Sequence, residues 1–170
     1  MKQIKLYNVI FPIWLLLFFP PIIIITLLGN YIIDSLVIIG CFFVYKIKNE
    51  KFTLKSFYKG SIIKVWLYGF LADFIGAVIL FLVGILGEDV LGLPFELTSA
   101  ICYDPFSHPW AVIIIFFAML VSTYFIFIFN YKFTFKKQIE EKTLRFKIAI
   151  TIAIVTIPWT FLLPTKWFYY

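Results

Sequence analysis

Long apolar runs separated by short polar segments organise this chain from end to end. Five runs approach the length of a bilayer span, which takes about 20 residues at 1.5 Å rise to cross about 30 Å of hydrocarbon. They cover roughly 9–28, 31–47, 62–86, 110–130 and 146–164. The pattern predicts an all-α fold: a polytopic integral membrane helical bundle of five transmembrane helices, forming a single membrane domain over 1–170. The Gly29-Asn30 dipeptide between the first two runs reads as a turn that makes them a tight helical hairpin. Pro20-Pro21 falls inside the first run, removes two backbone donors and is expected to kink that helix. Segment 90–101 is too short to span, so it lies along the surface or dips in as a re-entrant loop. No internal repeat is visible.

Composition supports the bilayer reading. The 170 residues are 63% hydrophobic and only 14% charged, with a mean hydropathy of +1.01. A soluble domain averages about 45–50% apolar and about 25% charged, and such a chain could not keep its surface wet. The start, MKQIK and an apolar run, lacks the small-residue cleavage site of a signal peptide and is expected to remain as the first span.

The net charge of +6 is distributed by position. With the N-terminus inside, Lys2, Lys5, the cluster from Lys46 to Lys64 and the cluster from Lys132 to Lys147 all face the cytoplasm, 14 of the 15 basic residues. The 87–109 loop, with Glu88, Asp89, Glu96 and Asp104 and no Lys or Arg, then faces out. This N-in, C-out arrangement follows the positive-inside bias and points to a multi-pass protein of the plasma (cytoplasmic) membrane. The basic loops suit a bilayer with an anionic inner leaflet as partner rather than nucleic acid.

The candidate chemistry is sparse. Asp73 lies near the middle of the third run, where a carboxylate is costly and typically faces the bundle interior. Gly69, Ala72 and Gly76 surround it with small residues that let another helix approach, so they are expected to pack helices. Ser122, Thr123 and Thr156 fall at a similar depth and are expected as its polar partners. Two readings stand for Asp73: a proton or cation site, or a hydrogen-bonded carboxyl that glues helices. Asp34 is the second intramembrane carboxylate. The hairpin places it near the outer boundary, capping the second helix with Asn30 and Ser35, and about 15 Å in depth from Asp73. On that placement the two do not act as a pair, though both remain candidates for an ion or proton route.

Cys102, Asp104 and His108 cluster in CYDPFSHP. They are the residue types of Cys–His nucleophilic catalysis, but two prolines make the segment a rigid turn, and loop structure is the expectation. Cys41 and Cys102 are not expected to form a disulfide. No metal-ligand spacing, phosphate loop, hydrolase elbow or dinucleotide fingerprint occurs, so no cofactor, no metal and no catalytic residue is assigned, and an enzyme is not indicated. Two functions follow from the sequence. One is a subunit or accessory component of a membrane complex, with other membrane subunits or further copies of itself as partners. The alternative is a self-contained transporter or channel that uses Asp73 at the midplane.

Overall fold

A computed structural model describes residues 12–20, 22–47 and 53–168. Among these the chain is helical, with no strand. The elements are α1 (Ile13–Leu16), α2 (Ile22–Val44), α3 (Leu54–Leu80), α4 (Gly87–Leu91), α5 (Phe95–Cys102), α6 (Pro109–Phe129) and α7 (Lys142–Val155). A π-helical turn extends α3 over Phe81–Ile85 and another extends α6 over Asn130–Thr134. Short 3-10 turns follow at Pro105–Ser107, Trp159–Leu162 and Thr165–Trp167.

Four helices are long and apolar enough to cross a bilayer: Ile22–Val44, Leu54–Ile85, Pro109–Thr134 and Lys142–Leu162. They expose large apolar side chains along their lengths, such as Ile25 at 71% and Leu36 at 65%. Such faces need lipid, and the chain is a multi-pass helical membrane protein.

The predicted hairpin at Gly29-Asn30 does not exist. α2 runs unbroken through both residues, so the 31–47 run and the end of the 9–28 run form one helix. In hydrocarbon an interruption would strand backbone N–H and C=O groups, and that cost overrides the turn preference of Gly-Asn. The rest of the first run is not a span either. It holds α1 and a turn over 17–20, with Pro20 just before α2. Four spans therefore stand among the described residues, in place of five. Lys2, Lys5, residues 9–11 and Pro21 lie outside those residues, as do residues 48–52 and Tyr169-Tyr170.

α3 starts at Leu54, eight residues before the predicted span, where the Thr53 hydroxyl accepts a hydrogen bond from Ser56 N at 3.2 Å. Its 32 residues with the π turn make a rod of about 48 Å, longer than the hydrocarbon is thick. The N-terminal part of α3 meets the α6–α7 connection, where Phe57 stacks on Phe135 with centroids 5.8 Å apart. Both described basic segments therefore gather at one end of the bundle.

At the other end, α4, α5 and the C-terminal turns form a lid of short helices over the ends of α3 and α6. Gly92 closes α4 in the left-handed region at φ 64°, a conformation that favours glycine. The lid holds α1. Thr165 Oγ1 accepts from Ile13 N at 2.9 Å and donates to the Cys102 carbonyl at 2.8 Å. The buried Trp14 indole donates to the Ile101 carbonyl at 3.2 Å. Two apolar clusters result. One, towards the basic end, contains Ile38, Phe42, Phe57, Ala72 and Phe135. The other, under the lid, contains Trp14, Ala77, Leu80, Ile101 and Phe161.

Candidate functional site

Asp73 lies on α3 between Ala72 of the first cluster and Ala77 of the second. Between the two clusters, several polar side chains of α2 and α3 face one another. Thr26, Asn30 and Asp34 recur every four residues on α2, so they share one face. That face meets Gly69 and Asp73, themselves one turn apart on α3. Gly69 lies directly against Asp34. A Cβ there would sit 3.8 Å from Asp34 Oδ2, and a larger side chain would occupy the space between the helices.

The third wall comes from the chain after α7. The 146–164 run was expected to be a continuous helix, but helix ends at Val155 and the backbone is irregular until Trp159. Pro158 is the cause: it has no N–H to offer the carbonyl four residues back, and its ring clashes with the preceding turn. Irregular backbone at membrane depth is tolerated where it is buried in protein or lines a cavity, and here it lines one. Val155 to Phe161, together with Leu17, complete a cavity of about 180 Å³ against α2 and α3. Its rim residues Ile33, Val155, Trp159 and Thr160 are exposed, so the cavity opens at the protein surface.

Two carboxylates thus face one small space. Asp34 is 5% exposed, and Asp73 is half-buried with Oδ1 fully enclosed and without a hydrogen-bond partner. Both line the same cavity. Among the described residues neither forms an ion pair, and the remaining polar lining is Thr26, Asn30, Thr156 and Thr160. This corrects the placement of Asp34 as a distant helix cap. The error came from the hairpin: once α2 is continuous, Asp34 sits mid-helix, level with the region of Asp73. Ser35, expected to help in capping, instead donates to the Tyr31 carbonyl at 2.6 Å and meets the Tyr58 hydroxyl at 2.9 Å.

The expected hydroxyl partners are distributed differently. Thr156 lines the cavity but donates to its own helix at Ile152 O, 2.8 Å away. Thr123 likewise donates to Met119 O at 2.8 Å. Ser122 is fully buried with no partner, and it faces Gly76, not Asp73. Of the small residues, Ala72 is fully buried in the core, Gly76 lies against α6, and Gly69 lies beside Asp34. Asn30, Thr26 and Thr160 were not foreseen as lining. For the first two the signal was present as their four-residue spacing from Asp34, hidden by the turn reading.

Cys102, Asp104 and His108 each hold a structural partner. Cys102 Sγ donates to the Gly84 carbonyl at 3.3 Å, Asp104 forms an ion pair with Lys166, and His108 caps α6 by accepting from Trp110 N at 3.3 Å. Burial pushes the Cys102 thiol up to about 12 from 9.0. At pH 8 the reactive thiolate is then about a thousandfold scarcer than for an ordinary cysteine. Peptide mapping after maleimide labelling at pH 8 should find Cys102 modified about a thousandfold more slowly in the folded than in the unfolded chain. Equal rates would mean that Cys102 is not packed in this way.

No protein-family model matches the chain, and no curated protein and no solved structure is significantly similar to it. The functional reading rests on the site's own geometry.

Proposed function

We propose that this protein binds and conducts a small cation, a proton or a monovalent metal ion, through the cavity that Asp34 and Asp73 share. The observation that carries this reading is the pairing itself. Two carboxylates lining one small cavity, with no basic partner among the described residues, repel each other when both are charged, and a proton or a cation between them relieves that repulsion. The volume selects the size of the occupant. Pockets for organic ligands run to about 300–1,000 Å³, well above the 180 Å³ present. Among the described residues no three His, Cys, Asp or Glu side chains converge, so the donor set suits a weakly held ion better than a tightly caged transition metal. Carboxylate, amide and hydroxyl oxygens together with unwound backbone are a common way to coordinate a coupling ion at mid-membrane.

The basic end of the bundle faces the cytoplasm of a plasma membrane in this proposal, following the positive-inside bias. An accessory-subunit role is the weaker reading, because apolar exposure along α2 is already explained by lipid contact.

Flux in reconstituted vesicles tests the proposal. Wild type should dissipate an imposed proton or sodium gradient, and Asp73→Asn or Asp34→Asn should each lower the rate at least about tenfold. Ser122→Ala, away from the cavity, should retain it. Folded Asp variants that conduct like wild type would exclude this site.

A further inference from the structure

The end of the bundle away from the lid carries a second site, built around the only arginine in the chain. Arg145 stands in the first turn of α7 and is 9% exposed, although it is a cation at the end of a membrane helix, where lysines normally reach out to water. Its guanidinium lies over the Tyr131 ring, 4.6 Å from the centroid, and Nη2 meets the Tyr131 hydroxyl at 3.5 Å. Arg145 Nε is buried with no partner, and no carboxylate pairs with this side chain among the described residues. An enclosed guanidinium N–H without an acceptor is unfavourable, and the ring contact offsets only part of that.

The surroundings increase the positive potential. Arg145 and Tyr131 line a groove of about 790 Å³ with Lys64, Lys132, Lys136 and Lys137, all four lysines exposed, and no acidic residue is in the lining. Three elements contribute: α3, the π turn after α6 and the following loop, and α7. The apolar side of the groove is Tyr68 and Phe133, whose rings lie 6.0 Å apart and continue to Phe129 along α6. A charged cradle therefore adjoins an aromatic wall that runs into the membrane-spanning faces.

We infer that this groove is a binding site for a phosphate-bearing anion, with Arg145 as the anchoring group and Lys64, Lys132, Lys136 and Lys137 supplying the surrounding charge. The planar guanidinium fork matches phosphate oxygens in a way that an ammonium does not. The source of the phosphate is an anionic lipid headgroup, whose chains would follow the aromatic wall, or a free phosphate of the cytoplasm. The groove shares no residue with the carboxylate cavity, so the inference does not depend on the cation proposal.

Native mass spectrometry of the detergent-purified full chain tests it, with phosphatidylglycerol, phosphatidylcholine and inorganic pyrophosphate as separate probes. Phosphatidylglycerol should be retained in preference to phosphatidylcholine. Arg145→Lys should weaken that retention about tenfold, the loss expected when charge-assisted hydrogen bonds are removed. The triple variant Lys132→Gln, Lys136→Gln and Lys137→Gln changes only exposed side chains and keeps the test independent of folding, and it should weaken retention as much or more. Lys166→Gln, at the other end, should have no effect. Arg145-dependent binding of pyrophosphate without lipid preference would assign the site to free phosphate. Retention of all three probes that is unchanged in the Arg145 and lysine variants would overturn the inference.

Discussion

Asp73→Asn is expected to raise the thermal stability of the detergent-purified protein at pH 8, and Asp34→Asn is expected to do the same. Substitutions at buried polar positions usually destabilise, so the sign is diagnostic. Asp73 Oδ1 is enclosed without a hydrogen-bond partner, and Asp34 lines the same cavity. Replacing either carboxylate by an amide removes the repulsion and supplies a donor. Each change should contribute on the order of 1–3 kcal/mol, the scale set by a buried polar group left without a partner. The second substitution should then add less than the first, because the repulsion is removed only once. Residues that share a field show coupling of about 0.5–3 kcal/mol. Melting curves for wild type, both single variants and the double variant decide the matter. Strict additivity would mean that the two side chains do not share the cavity. Destabilisation by both single variants would mean that the carboxyls hold the helices together, the alternative role for Asp73. A carboxylate pair kept at a cost to stability is what a functional site predicts.

The largest loss of stability is expected at Gly76. A Cβ at this position would clash with Ser122 Oγ and would meet Phe161 Cε2 at 3.0 Å and the Ala118 carbonyl at 3.1 Å. The hydroxyl can rotate, but the carbonyl belongs to the backbone of α6 and moves only with the helix. Gly76→Ala should cost about 1–3 kcal/mol, the usual range for overpacking. Gly76→Leu should prevent α3 and α6 from closing and leave little folded protein. Ser122→Ala alone should be neutral or slightly stabilising, since its buried hydroxyl has no partner. Combined with Gly76→Ala it should restore part of the loss by removing the closest of the three contacts. Thermal unfolding in mild detergent reads all four variants. A Gly76→Leu protein with the wild-type melting temperature would show that the α3–α6 contact does not pass through this residue.

Asp73, its small neighbours and the charge asymmetry were legible because each is a local property of the chain. A carboxylate within a long apolar run has few places to go in a bilayer, and glycine and alanine around it mark a close approach whatever the partner is. The apolar run lengths likewise required membrane helices, because about 20 apolar residues match the hydrocarbon thickness. The partner of Asp73 was not legible. It depended on whether Gly29-Asn30 turns the chain, and that choice is made by the surrounding medium, which penalises every unpaired backbone group, rather than by the dipeptide. A misplaced turn moved Asp34 by about 15 Å in depth and concealed the spacing of Thr26, Asn30 and Asp34. The break after α7 was present in the sequence as Pro158, but its consequence needed the neighbouring helices to be in place.

Arg145 shows the same division. Its uniqueness among the basic residues can be read from the chain, while its burial against Tyr131 arises from the π turn after α6, which brings residues far apart in sequence to one groove. Residue types and run lengths thus determine that this is a helical membrane protein with intramembrane carboxylates and a basic end. The packing of α2 against α3 and the unwound chain after α7 brings two carboxylates to one cavity, because the contact between them is long-range and no local preference encodes it.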